Sequence, residues 1–142
     1  MKRSSLSLLL SILTVVVVAG CGDTVTTPTM PAGSTKYLVR VVEILPNPVG
    51  SDDNREEVTL RNFDTVAISL NNWRLRDNSG GVNFPFGTSA GIIGPGELKT
   101  ITHNGTAVLN NSGESLVLVD DDGETIQSLS YTTADEGQVF KY

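Results

Sequence analysis

The chain has 142 residues, 10 Lys+Arg against 16 Asp+Glu for a formal charge of −6, one Cys and one His. That length holds one ordinary domain with a small addition, not two full domains. A single Cys excludes an internal disulfide framework and multi-Cys zinc or iron–sulfur centres. A single His excludes a His-rich metal site, and the acidic balance lacks the basic stripe that nucleic-acid binding requires.

The chain opens with a charged, then apolar segment. Lys2 and Arg3 precede a 14-residue stretch, Leu6 to Ala19, broken only by Ser7, Ser11 and Thr14. A membrane-spanning helix needs about 20 apolar residues, so this stretch is short for a span and suits the core of a secretory signal peptide. It ends in Val18-Ala19-Gly20-Cys21. This run resembles the lipobox of bacterial lipoprotein signal peptides, in which an apolar residue and two small residues precede the lipid-bearing Cys. The resemblance implies cleavage before Cys21, a diacylglyceryl thioether on its sulfur and acylation of the new amino group. A palmitate-type anchor would then hold the protein on a membrane without spanning it, since each buried acyl CH₂ contributes roughly 0.8 kcal/mol. Gly22 is compatible with outer-membrane sorting in a Gram-negative cell; otherwise the address is the outer face of the cytoplasmic membrane. Removing residues 1–20 takes Lys+Arg from 10 to 8 and the formal balance to −8.

Residues 21–35 read as the lipidated Cys and a flexible linker. In residues 22–35, 11 of 14 positions are Thr, Pro, Gly, Ser or Ala, and no helical or strand period is present. A flexible segment of that length spans about 20 Å, enough to lift a domain clear of headgroups.

Residues 36–142 form the expected folded domain, and the pattern is all-β. Candidate strands are Tyr37–Leu45, Glu57–Asn62, Val66–Leu70, Asn72–Asp77, Leu98–Thr102, Ser115–Val119, Glu124–Tyr131 and Gln138–Lys141. Gly, Pro, Asn and Asp clusters separate them. Alternation places Leu60, Ile68, Trp73 and Leu75 in the core, with the sole Trp as a central plug. Leu98–Ile101 breaks strict alternation and predicts a bulge or a two-sided strand. Asp122-Gly123 between apolar runs predicts a type I′ hairpin turn. About seven to nine short strands in this length suit an immunoglobulin-like sandwich.

The ordered motifs resemble the bacterial form of the lamin-tail domain. Glu43-Ile44-Leu45-Pro46-Asn47-Pro48-Val49-Gly50 is similar to that family's opening E-I-x-x-N-P-x-G. Glu56 to Asn62 is similar to its next strand, with Thr59 in place of a Glu. Ile68 to Asp77 follows V-x-L-S-G-W-x-L-x-D, with Asn72 in place of Gly. Pro95-Gly96, then Leu109 through Gly123 with Glu114 in place of Asp, continue the series, and Asp135 to Phe140 match its end loosely. The resemblance implies an immunoglobulin-like β-sandwich. The fold alone does not set function.

Several residues have the chemistry of a site. Asp52, Asp53, Asn54, Glu56 and Glu57 form one acidic group, Asp120, Asp121, Asp122 and Glu124 another, and Asp135 and Glu136 a third. Asp52, Asp53, Asp120 and Asp122 are the calcium candidates, because that hard cation takes oxygen ligands. None has the EF-hand spacing, and turn chemistry accounts for Asp120 to Gly123 while a polar surface connection accounts for residues 51–57. No cofactor is therefore expected. His103 lies in a loop without a nucleophile motif and is expected to be a surface or turn residue. Glu43, inside an apolar strand, is expected to face solvent or pair with Arg40, Arg61 or Arg74. Nucleic-acid binding, which lamin tails suggest by analogy, would need Arg40, Arg61, Arg74 and Arg76 on one face.

The expectation is thus a non-enzymatic, lipid-anchored envelope protein displaying a binding or structural module to an unknown envelope protein or polymer. The alternative is an accessory module for an extracellular nuclease or other hydrolase acting in trans, since bacterial lamin-tail domains often accompany such enzymes.

Overall fold

A computed structural model of the protein describes residues 36–77 and 81–142. The signal segment, Val18, Ala19, Gly20, Cys21 and the linker lie outside the described residues. The described part is all-β, with ten strands. β1 (Val39–Leu45), β2 (Glu57–Asn62), β7 (Leu98–Thr102) and β10 (Phe140–Lys141) form one antiparallel sheet in the order β10-β1-β2-β7. β4 (Arg74–Asp77), β5 (Asn83–Pro85), β8 (Glu114–Val119) and β9 (Thr125–Tyr131) form the other, ordered β5-β4-β8-β9. β3 (Ile68–Ser69) and β6 (Ile92–Ile93) make a two-residue pairing.

The two sheets are held by one core that draws on both inner faces. Val58 and Leu60 from β2 meet Leu75, Phe84, Leu116 and Leu118 from the other sheet, each at most 1% exposed. Alternation along each strand produces this, because successive side chains point to opposite faces. Trp73 is 1% exposed and packs its ring 5.5 Å from that of Tyr37. Ile68 is also buried.

A bulge explains the mixed pattern of β1. Val41 pairs with Leu60 but Glu43 pairs with Thr59, so Val42 is the extra residue. Before the bulge the odd positions Val39 and Val41 point inward, and after it Ile44 does. The phase change turns Glu43 outward, where its carboxylate meets Lys141 Nζ at 3.2 Å on neighbouring β10. The expected arginine partners of Glu43 are therefore replaced by a lysine from the last strand, which pairing across the sheet brings alongside.

Other expectations need correction. β7 runs in unbroken register with β2, with Leu98 57% exposed; the bulges lie instead in β1 and between Leu118 and Val119. The hairpin at Asp120 is not type I′. Gly123 N–H donates to Asp120 O at 3.1 Å, and only Gly123 has positive φ, at 84°. This is a three-residue loop, a turn followed by a left-handed glycine, which an inward β8–β9 bulge accompanies. The strand expected at Val66–Leu70 shrinks to Ile68–Ser69, and the one at Asn72 begins at Arg74, since Asn72 itself sits at φ 63°. β5 and β6 were outside the expected set because two or three residues carry too little periodicity to register.

Candidate functional site

β1 fixes two ends of the sandwich. Lys36 lies just before β1, and the connections after β1 and before β2, after β7, and after β9 lie at the other end, in the row Leu45, Glu57, Thr102. A seven-residue strand separates the two ends by about 20 Å.

At the Lys36 end, the acidic hairpin is met by a cation from the chain itself. Lys36 Nζ lies 2.8 Å from Asp120 Oδ2, 2.8 Å from Asp122 Oδ2 and 3.5 Å from Glu124. Asp120 is fully buried and also accepts the Glu124 N–H at 2.8 Å. Burial alone would raise its pKa, but the hydrogen bonds from Lys36 and the Glu124 backbone outweigh it and hold the carboxyl below its ordinary value. Hydrogen bonds to Asp120 and then Asp122 raise the Lys36 pKa. Carboxylates of Asp120, Asp121 and Asp122 lie within 4.8 Å of one another. Two of these three calcium-type ligands, Asp120 and Asp122, are thus engaged by the Lys36 ammonium, which holds the start of the domain against the β8–β9 turn.

At the far end, three loops are bound into one platform. Asp52 accepts the Asn111 side-chain N–H at 2.8 Å, and Asp53 accepts the Ala107 N–H at 2.8 Å. Asn47 donates to Ala134 O at 2.9 Å, Gly137 N–H donates to Asn47 O, and Glu136 accepts the Gly50 N–H at 2.6 Å. Asp52 and Asp53 therefore join loops that are about 54 to 59 residues apart in sequence, rather than converging on one point.

The centre of this platform is Glu56, and sequence reasoning placed it wrongly on the surface. It is fully buried, and its two carboxylate oxygens accept the Val108 N–H at 2.9 Å and the Leu109 N–H at 2.8 Å. Burial raises its pKa, opposed by those two amides and by the nearby His103. The signal was available: Glu56 shares its parity with Val58, Leu60 and Asn62, all fully buried. Extending the alternation one step at each end of the strand finds both polar residues. Asn62 uses its buried side chain likewise, donating to Val66 O and Ile93 O. Gln127 is a third such residue, and the same step finds it, because it shares its parity with the buried Leu129 and Tyr131 while Ser128 and Ser130 face outward.

His103 lies half-buried with its ring 5.1 Å from that of Phe84, and its Nε2 is 3.0 Å from Thr106 O. That contact assigns the proton to Nε2 and leaves the ring a loop-closing residue. Beside the platform is a hollow of about 380 Å³ on the outer face, lined by Leu45, Pro48, Val49, Arg55, Glu57 and Thr102 among others. Val49 on its rim is 64% exposed, and Arg55 donates to Val49 O at 2.6 Å.

The four arginines do not share a face. Arg40 is 4% exposed and donates to Tyr37 O and Val39 O. Arg61 lies over the Phe63 ring on one sheet, while Arg74 and Arg76 belong to the other.

Residues 32–133 match the family model described as Lamin Tail Domain, well over half of the chain. Comparison with curated proteins and with solved structures gives no match.

Proposed function

Taking as premise that the chain belongs to the lamin tail domain family, an immunoglobulin-like structural or binding module, we propose that it is a non-enzymatic, lipid-anchored protein of the cell envelope. Cys21 carries the lipid, residues 22–35 space the domain from the membrane, and the loop platform meets an envelope protein or polymer. The location is the outer membrane in a Gram-negative cell and the outer face of the cytoplasmic membrane otherwise.

The observation that carries this reading is the placement of the two ends. Lys36, which follows the linker, is clamped to the β8–β9 turn, and the cross-bonded loops lie a strand's length away. A tether at one end leaves the other end free to make contacts. Non-catalytic use also suits the groups present: both Glu56 oxygens are occupied by amides and His103 closes its own loop.

Metabolic labelling with a palmitate analogue tests the anchor. The wild-type chain is expected to take up label and fractionate with membranes, and Cys21→Ser to do neither. Label persisting in Cys21→Ser overturns the assignment. Turnover of nucleic acid or phosphoester substrates by the purified chain would sink the non-enzymatic reading.

A further inference from the structure

The two sheets have four outer edges, and three are closed by visible means. β5 is three residues long and contains Pro85, and β10 is two residues long. β9 carries the bulge at Ile126, and on its backbone the Tyr142 hydroxyl donates to Ser130 O. Short length, proline and cover are standard protections of an edge. β7 has five residues, no proline and no bulge.

The ladder shows which β7 groups are free. Asn62 N–H donates to Glu97 O at 3.0 Å and His103 N–H to Glu56 O at 2.8 Å. Bonded pairs alternate in an antiparallel ladder. Lys99 and Ile101 therefore bond β2, and the backbone groups of Leu98, Thr100 and Thr102 point away from the sheet. All three residues are exposed, and no backbone hydrogen bond reaches those groups among the described residues.

We propose that β7 is a self-association edge, at which two copies of the chain pair antiparallel about a twofold axis at Thr100. The two four-stranded sheets then become one sheet of eight strands. A second copy fits because three successive rows become complementary under the same axis. In the outer rows Leu98 faces Thr102 of the second copy, flanked by Arg61 on one side and Glu57 of the second copy on the other. In the central row the Thr59–Thr100 hydroxyl pair, 2.8 Å apart, meets its own image and extends into a ladder of four hydroxyls. On the inner face Lys99 meets Ile101 of the second copy. An inward lysine usually protects an edge, but the Lys99 ammonium is drawn to Ile92 O at 3.1 Å. That leaves its aliphatic stem to cover the half-buried Ile101. A five-residue pairing is small beside the roughly 1,200–2,000 Å² that stable complexes bury, so the association is concentration-dependent.

Sedimentation of the full chain in detergent micelles over a concentration series tests this. The wild type is expected to pass from monomer to dimer, and Thr100→Pro to stay monomeric, since position 100 donates nothing to β2. In a Cys21→Ser chain, Thr100→Cys is expected to form a disulfide dimer, because directly paired Cα atoms lie about 5.5 Å apart, within disulfide reach. Thr59→Cys, one strand inward, is not. The cysteine comparison decides the matter if Thr100→Pro fails to fold. A wild type that is monomeric at every concentration, a dimer untouched by Thr100→Pro, or equal crosslinking at positions 59 and 100 overturns the proposal.

Discussion

Single residues in this domain do their structural work by being polar in buried places. Glu56 is the clearest case, since two amides of another loop depend on one side chain. Glu56→Ala leaves both N–H groups without an acceptor, each costing about 1–3 kcal/mol. The expected outcome is a loss of roughly 2–4 kcal/mol in denaturant unfolding and faster hydrogen exchange at Val108 and Leu109. An unchanged midpoint would show that water replaces the carboxylate. Asn72 poses a backbone question at the same scale. Its φ of 63° lies where side chains cost energy, and its N–H is fixed to Gly87 O at 2.9 Å. Asn72→Ala is expected to lose about 1 kcal/mol, because alanine lacks the local hydrogen bonding that lets asparagine occupy this region. Asn72→Gly should lose little or nothing in the same unfolding assay, which fits the glycine that the family pattern carries before the tryptophan.

At the scale of elements, the sheets are joined where their edges run out. β10 covers only Glu43 and Ile44 of β1, so the earlier part of β1 lacks a strand partner on that side. Gln127 supplies the missing bonds, accepting the Val41 N–H at 2.7 Å and donating to Val41 O at 3.3 Å. Its inward placement continues the alternation of Leu129 and Tyr131, and the irregularity next to it buries Ile126 as well. Gln127→Leu keeps the volume and removes both bonds. It is expected to cost about 2 kcal/mol, with the Val41 amide losing exchange protection before the β2–β7 amides do. Equal protection at Val41 in the variant would mean that β1 finds another partner. The inward face of Gln127 is legible in its alternation with Leu129 and Tyr131, but its partner Val41 is not, because the two lie in different sheets. The bulge decides only the face of Ile126, which is buried out of phase with that series.

For the whole molecule, charge balance and proton binding give a testable stability profile. Lys36 is raised above its ordinary 10.5 by its bonds to Asp120 and Asp122. Burial raises Tyr131 above its ordinary 10.0 and pushes Tyr142 up to about 12. All three hold a proton more tightly in the folded state than in the unfolded chain. Their contribution is therefore complete below pH 10 and is lost as pH rises through and above 12. Asp120 works in the opposite limb, since its folded pKa lies below 3.8; its contribution is present above that value and lost as pH falls beneath it. Unfolding midpoints measured across pH should fall in alkali, while in acid the loss from Asp120 is opposed by Glu56 and Glu114, which burial makes bind protons more tightly in the folded state. Lys36→Met should flatten the alkaline fall and lower stability near neutral pH, because Asp120 then remains buried without its cation. A variant profile parallel to the wild type would show that the Lys36 clamp contributes nothing.

The sequence by itself determined the all-β class, the order of the principal strands, the buried Trp73, Leu60, Leu75 and Ile68, and the family series from Glu43 onward. Those features follow from local periodicity and turn chemistry, which are written along the chain. The tertiary structure alone decided that Glu56 holds the amides of Val108 and Leu109, that Gln127 bonds Val41, that Lys141 meets Glu43, that Lys36 occupies the acidic hairpin, and that β7 has no strand partner on its outer side among the described residues. Each of these depends on residues far apart in sequence, or on a bulge that reverses the phase of a strand. A two-residue period cannot report its own reversal, and a charged side chain acquires its partner only when the sheets close.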